Sequence, residues 1–395
     1  MQIETLDKRC TGCGACAAAC PISCITMTPD KDGFLFPQVS DSCLGCDRCT
    51  DACPVIGFRK KAAERPTAYV AYNKCRDERE TSSSGGIFVL IAKKIISEGG
   101  AVYGAAVCEN MEVRHVRACT NDDIKRLQGS KYVQSIVSRE IYESVKKDLE
   151  NGKKVLFSGT PCQIAAVSRA VGQREGFFTA SFICHGVPSP KIWADYVADR
   201  EEKAGVRMTS ASFRDKSAGW ERISMKTGYD NGTFHAATLD KDLYLRAFLR
   251  NLCLRESCYE CIFKGDGAYI GTDILLSDWW SAADGVLPEK LDGRGVSALY
   301  TLTEKGSALW DAVSGDCVWA ATEFGRASGN NSSYFSSAHR PSARDGFMCE
   351  CTPATFEESI KKYARTPFKA KLRSSFIRLA KKLKIYQLLK KLCGK

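Results

Sequence analysis

The stretch Cys10-Thr11-Gly12-Cys13-Gly14-Ala15-Cys16-Ala17-Ala18-Ala19-Cys20-Pro21 returns 33 residues later as Cys43-Leu44-Gly45-Cys46-Asp47-Arg48-Cys49-Thr50-Asp51-Ala52-Cys53-Pro54. Both copies read C-x2-C-x2-C-x3-C-P. Three thiolates two residues apart can wrap one face of an iron–sulfur cube, and the fourth, on the departing segment, ligates the cluster of the other repeat. The spacing therefore assigns Cys10, Cys13, Cys16 and Cys53 to one cluster and Cys43, Cys46, Cys49 and Cys20 to the other. Gly12, Gly14 and Gly45 stand where backbone N–H groups must approach sulfur. Zinc modules usually supply ligands in two pairs, not in runs of three plus one followed by Pro. Cys24 lies outside the spacing and reads as a spare buried thiol.

Around this stretch the chain is that of an ordinary globular protein. It has 395 residues, 44% hydrophobic and 26% charged, which excludes a mainly disordered or collagen-like chain. No apolar run approaches the ~18 residues of a membrane span. The start, Met1 to Asp7, is acidic and does not follow a signal-peptide pattern, so a cytoplasmic chain is expected. There are 21 cysteines, an odd number that argues for metal ligation over a disulfide framework in a reducing compartment. Residues 1–62 resemble a bacterial two-cluster ferredoxin domain, whose work is to move single electrons.

After a polar linker the texture changes. Strands are expected at Thr67 to Asn73, Gly100 to Val107, Lys154 to Phe157 and Phe178 to Cys184. Helices are expected from Ile87 to Glu98, to Gln128 after a cap at Thr120 or Asn121, from Ser138 to Asn151, from Pro161 to Val171 and from Pro190 to Glu202. This alternation predicts an α/β body with a largely parallel or mixed sheet over residues 66–345. Small-residue loops sit at its strand ends: Ser82-Ser83-Ser84-Gly85-Gly86, Gly129-Ser130-Lys131-Tyr132-Val133-Gln134 and Ser158-Gly159-Thr160-Pro161-Cys162-Gln163. Such loops can hold a phosphate against a helix N-terminus, although Ser/Gly clusters are more often plain turns. No G-x-G-x-x-G follows the first strand, so a standard dinucleotide fold is not supported. Cys184 with His185 ends a strand, and Cys258 and Cys261 form a later C-x2-C pair with Cys253 upstream. A lone thiol is usually a small buried hydrophobe, whereas paired thiols in a reducing compartment bind metal or cycle redox.

Five motifs occur here in one order: Gly159-Thr160-Pro161-Cys162-Gln163; Cys184-His185-Gly186-Val187-Pro188-Ser189-Pro190; Phe213-Arg214-Asp215-Lys216 with Gly219-Trp220; Arg255-x-x-Cys258-Tyr259-x-Cys261; and Asp273 to Trp280. Together they resemble the beta-subunit family of coenzyme F420 (deazaflavin) hydrogenases and dehydrogenases, over roughly Pro66 to Ser281. The resemblance implies FAD on Ser83, Ser84, Gly85, Gly86, Gly129, Ser130, Lys131, Tyr132, Gln134, Gly159, Thr160, Pro161 and Gln163. It also implies a third [4Fe-4S] cluster on Cys162, Cys184, Cys258 and Cys261, with Cys253 a rival for Cys162 that spacing does not decide. His185, Lys131 and Arg214 are the candidates for catalytic roles, the two cations for reduced-flavin or substrate charge; Lys216 is read as solvated. The function implied is that of an iron–sulfur flavoprotein oxidoreductase of anaerobe type. It would pass electrons between ferredoxin-type clusters and FAD, with hydride transfer to or from an acceptor such as a deazaflavin or a polysaccharide-pathway intermediate. The competing class is an electron-relay subunit serving a partner enzyme. Ferredoxin or another electron-transfer protein is the partner implied.

The net charge of +11 is concentrated at one end. Residues 361–395 carry thirteen Lys or Arg and no acid, which leaves −2 for the other 360 (44 basic against 46 acidic). In the segment 346–395, Leu372, Phe376, Leu379, Leu383, Tyr386, Leu389 and Leu392 fall at helical spacing. A C-terminal basic amphipathic helix is expected, suited to an anionic membrane surface, at the inner face, or to an acidic partner. It lacks the interleaved aromatics and reader motifs of a nucleic-acid binder. Residues 284–344 carry no chemistry that the sequence reveals.

Overall fold

A computed structural model describes residues 3–61, 66–172, 174–280, 285–287, 292–329 and 331–364. The N-terminal domain is built on its repeat. Gly12 and Gly45 share φ near +66°, and Gly14 and Asp47 also lie in the left-handed region. Each repeat thereby turns into a short helix, Ala15–Ala19 and Arg48–Ala52. Between them, β1 (Ile25–Pro29) and β2 (Leu35–Val39) form an antiparallel ribbon.

The body is a mixed α/β structure. Its main sheet comprises β3 (Thr67–Asn73), β4 (Ala101–Val107), β5 (Val113–Ala118), β6 (Val155–Gly159) and β7 (Phe177–Phe182). The separate three-stranded antiparallel sheet holds β8 (Met208–Asp215), β9 (Ser224–Tyr229) and β10 (Phe234–Thr238). The main sheet is completed by β11 (Ile274–Asp278), β12 (Ser297–Thr301) and β13 (Cys317–Thr322), in the order β13-β3-β12-β11-β7-β6-β4-β5. The run β4-β6-β7-β11 is parallel, and antiparallel strands close both edges.

Strand alternation feeds two cores. Val155 and Phe157 pack with Ile164, Val167, Tyr142 and Val145 on one face. Leu156 packs with Ile91, Ile95, Trp310 and Val313 on the other. The predicted elements recur with small shifts: β7 ends at Phe182, so Cys184 lies beyond the strand, and the helix from Pro190 runs to Ala204. Residues 284–344, in which the sequence reveals no chemistry, supply β12, β13 and the helix Glu304–Ser314. Ser297 to Thr301 are buried throughout, a short central run that periodicity alone does not reveal. Packing of the body continues past residue 345, where the tail was expected to open: Phe347, Met348, Phe356 and Ile360 join the core around Trp193 and Tyr244. The expected tail helix beyond residue 364 lies outside the described residues.

The N-terminal domain is clamped to the body by side-chain donors on its carbonyls. Tyr142 Oη donates to Cys13 O at 2.9 Å, Arg139 Nη2 to Cys20 O at 2.7 Å, Gln134 Nε2 to Thr11 O at 2.9 Å and Arg169 Nη1 to Ile56 O at 3.0 Å. Gly14 packs here so closely that a Cβ would stand 2.5 Å from Val137 O.

Candidate metal centres and active site

Cys10, Cys13, Cys16 and Cys53 line one cavity, and Cys20, Cys43, Cys46 and Cys49 line a second. This is the crossed arrangement expected from the spacing. The Gly12 and Gly45 N–H groups each stand 3.4 Å from the sulfur of the first cysteine of their repeat. All-thiol donor sets with N–H groups on sulfur fit iron–sulfur clusters. Among the described residues no three His, Cys, Asp or Glu side chains crowd one point closely enough for a single metal ion; the thiols surround a space. The inner set is buried, and burial pushes the Cys13 thiol up to about 12. The second set is open: Cys46 is exposed, with Leu44 69% and Ile22 42% exposed beside it. Cys24 also lines this second cavity, its sulfur 3.3 Å from that of Cys20.

In the body, four thiols from three places lie within electrostatic reach of one another. Cys162 opens the helix Pro161–Val171, Cys184 follows β7, and Cys258 and Cys261 flank Tyr259. The Cys162 thiol interacts electrostatically with Cys261, Cys184 and Cys258, and all four are pushed up by burial. Cys162 also acts on Cys13 of the inner N-terminal set. Cys253 sits elsewhere: it is fully buried in the core around Trp193 and interacts with Cys351. An open pocket of about 460 Å³, lined by Phe58, Lys60, Cys261, Ile262, Lys264, Phe335 and Ser337, reaches the set from outside.

The loops at the C-terminal ends of the parallel strands form the third feature, where open α/β sheets hold ligands. Ser83 Oγ is 2.7 Å from Ser130 Oγ, joining the Ser-Gly loop to the Gly129 loop. The carbonyls of the Ser-Gly loop are engaged inward: Ser83 O by Trp220 Nε1 at 3.1 Å, Ser84 O by Lys216 Nζ at 2.9 Å and Gly85 O by Asn73 N at 2.8 Å. Lys216 also donates to Arg79 O and Arg294 O, at 2.5 and 2.7 Å. It is therefore a buried strut and not a solvated charge, and burial pulls its ammonium down to about 8. Arg214 Nη1 pairs with Asp278 at 2.8 Å and reaches Tyr132 Oη at 3.4 Å, while its buried Nη2 has no hydrogen-bond partner among the described residues. Trp280 stacks on Trp220 at 4.9 Å and lies 5.5 Å from the Arg214 guanidinium. Lys131 Nζ caps a helix end through Arg126 O and Gln128 O, and desolvation pulls it down to about 7.

Other expected site residues are committed inside the protein. Gln163 and Thr160 form a capping box on the helix that Pro161 opens behind Gly159, and Gln163 Nε2 donates to Ser135 Oγ at 3.1 Å. Gln134 bridges Thr11 and Arg255. His185 donates from Nε2 to Asn251 Oδ1 at 2.6 Å, its Nδ1 is 3.4 Å from Ser333 Oγ, and burial lowers its basicity. Phe248 packs against both His185 and Tyr132. Sequence reasoning passed over His115, whose ring stacks on Phe157 at 5.0 Å and whose buried Nδ1 has no partner among the described residues. Nothing in its neighbourhood of the sequence marks it; the reach of its Nε2 past β4 to Ser158 O at 3.0 Å does.

Thiol sets of this kind, beside a loop-lined sheet edge, define an iron–sulfur electron-transfer protein. Residues 9–57 match the 4Fe-4S dicluster domain, and residues 152–323 match the C-terminal region of the coenzyme F420 hydrogenase/dehydrogenase beta subunit. The chain thus carries a segment that matches the dicluster ferredoxin domain, followed by one that matches the C-terminal region of that oxidoreductase beta subunit. Among solved structures, a chain of the F420-reducing [NiFe] hydrogenase complex from Methanosarcina barkeri, studied by xenon derivatization, is similar at 17% identity and a TM-score of 0.45. The alignment covers 78% of this chain and 93% of that chain. No curated protein sequence matches. Among the described residues, no helix is long and apolar enough to cross a membrane.

Proposed function

We propose that this chain is an iron–sulfur flavin-dependent oxidoreductase that exchanges electrons with a redox protein at its N-terminal face and hydride with an acceptor at the loop-lined edge of its body. The observation that carries this reading is that Cys162, Cys184, Cys258 and Cys261 lie within electrostatic reach of one another, with Cys162 also in reach of Cys13. Bound clusters would supply one-electron steps and bound FAD the exchange between one electron and hydride. Cys10, Cys13, Cys16 and Cys53 would hold the inner cluster, Cys20, Cys43, Cys46 and Cys49 the outer, and the four body thiols a third.

Ser83, Gly86, Ser130 and Lys131 would bind the anionic part of FAD, while Ser84 and Gly85 fix the loop from inside, Ser84 Oγ donating to Val296 O at 2.6 Å and Gly85 N to Ser297 Oγ at 3.0 Å. The unpartnered Arg214 Nη2 would take an oxygen or nitrogen acceptor of flavin or substrate. His185 orients the Cys184 segment through Asn251 in this reading and holds no proton for the reaction. The exposed Cys46, with Leu44 and Ile22 around it, would receive a ferredoxin or another small redox protein. The basic tail would add contact with an anionic membrane or acidic partner; deleting residues 371–395 should end binding to anionic vesicles at low salt and leave the visible spectrum unchanged.

The deciding experiment is iron, sulfide and flavin per chain after anaerobic purification. About twelve irons and one FAD are expected. About eight irons without flavin would reduce the protein to a ferredoxin fused to a body of other use. Reduction of an acceptor by the isolated chain separates an enzyme from an electron relay.

A further inference from the structure

The buried cations are compensated unequally. Arg79 pairs with Asp292 at 2.9 Å, Arg214 with Asp278 at 2.8 Å, and Arg344 with Asp32 at 3.1 Å and Glu256 at 2.9 Å. Arg255 is the most deeply buried of these arginines, 1% exposed. Its hydrogen bonds go to neutral oxygens: Nε to Cys10 O at 2.7 Å, Nη1 to Gln134 Oε1 at 3.1 Å and Nη2 to Leu35 O at 2.9 Å. Phe36 and Phe34 close it in, 4.3 and 5.4 Å from the guanidinium. Lys264, 6% exposed, donates to Cys184 O and to Ser333 O at 2.7 Å. Among the described residues, neither Arg255 nor Lys264 forms an ion pair with a carboxylate; Lys216, held by three carbonyls at the loop-lined edge, shares this property but contacts no cysteine carbonyl.

A buried charge without a counter-charge costs several kcal/mol, so such groups are normally paired. Both cations stand against thiol sets. Arg255 holds the carbonyl of Cys10 and packs on Gly12, where a Cβ would come within 2.7 Å of its Nη1; its own carbonyl accepts from Cys258 N at 2.9 Å. Lys264 holds the carbonyl of Cys184 and stands three residues after Cys261. A cubane held by four thiolates is net negative in both redox states and more so after reduction, which is the missing partner for each.

We propose that Arg255 and Lys264 are resident counter-charges of the thiolate-bound clusters, Arg255 shared between the inner N-terminal site and the third site, Lys264 serving the third site alone. This rests on the cluster assignments above. A fixed cation favours the state that has gained an electron, so each raises the reduction potential of its neighbours, with no bond made or broken. Arg255 lies on the interface between the domains and therefore ties the electron affinity of both sites to the docked arrangement.

The test is potentiometric titration followed by EPR on the full chain, with iron counted in every variant. Arg255→Met should make the inner and third clusters about tenfold harder to reduce, about 59 mV for a one-electron couple, and leave the outer cluster unmoved. Lys264→Met should shift the third cluster alone. Arg255→Lys, which keeps the charge, should recover most of the shift. Variants with full iron and unmoved potentials would overturn the proposal, as would equal displacement of all three sites. If Arg255→Met does not fold, Arg255→Lys against Arg255→Gln carries the same comparison. Wild-type protein with about eight irons would sink the third-site assignment and the role of Lys264, and the inner-site shift would still decide Arg255.

Discussion

The two thiol-rich regions reach similar donor sets by opposite routes. In the N-terminal domain, eight cysteines come from two copies of one local motif, and the repeated left-handed turns at Gly12 and Gly45, Gly14 and Asp47 place them. In the body, Cys162, Cys184, Cys258 and Cys261 come from a helix start, a strand exit and a loop pair that only the folded sheet brings together. The first region carries its geometry locally and leaves its outer set open at Cys46. The second depends on long-range packing, and its four thiols are half-buried, with an open pocket at Cys261. A local motif survives changes elsewhere in the chain, whereas an assembled one is lost with any of its supports.

Removing one ligand from the assembled site should expose that difference most strongly. Cys184→Ala should lose about four irons per chain while the N-terminal EPR signals persist; unchanged iron would break the assembled set. Cys253→Ala is the paired control. Cys253 packs in the core around Trp193, so its variant should keep full iron and lose roughly 1 kcal/mol of stability through a small cavity. If iron instead falls with Cys253→Ala and not with Cys162→Ala, the two thiols must exchange roles.

The repeat also offers two glycines in like conformations and unlike surroundings. At Gly14, φ is +77° and a Cβ would meet Val137 O at 2.5 Å, on the seam with the body; at Gly45, φ is +66° and the space is open. Gly45→Ala should cost only the left-handed backbone penalty, about 1–2 kcal/mol. Gly14→Ala adds a backbone clash and should cost roughly 1–3 kcal/mol more. Chemical denaturation of both variants measures the gap, and equal losses would mean that the seam contributes nothing to the N-terminal domain.

These two regions also differ in how far the amino-acid sequence discloses them. The crossed N-terminal sets follow from C-x2-C-x2-C-x3-C-P because ligand spacing within one turn is a local quantity. The parallel strands β4, β6 and β7 were legible for the same reason, as apolar runs between helices. The assembled site was legible only through motif resemblance, and spacing left Cys162 and Cys253 undecided. Lys216 looked like surface charge because nothing local announces three carbonyls converging on its ammonium. β12 was missed because its five buried residues interrupt a turn-rich segment, and its partners β3 and β11 lie far away in the chain.

The smallest expected effect concerns protons at the loop-lined edge, where Lys131 and His115 are both desolvated. Lys131 falls to about 7 and His115 to about 4, the first pulled down by burial alone and the second by burial against its bond to Ser158 O. Both folded values are depressed for groups that are cationic when protonated, so the unfolded chain binds more protons and stability rises with pH across each interval. For His115 this means that stability drops as pH falls from 6.5 toward 4, by at most ~1.4 kcal/mol per pH unit. For Lys131 the charge available to an anion disappears as pH rises through about 7. Binding of pyrophosphate or FAD to the flavin-free protein should therefore weaken severalfold between pH 6 and 8, and Lys131→Met should flatten that profile at the weaker level. Equal pH dependence in the variant would mean that Lys131 only caps its helix. The loop-lined edge would then take its anion through Ser83, Gly86 and Arg214, whose charge does not change over this range.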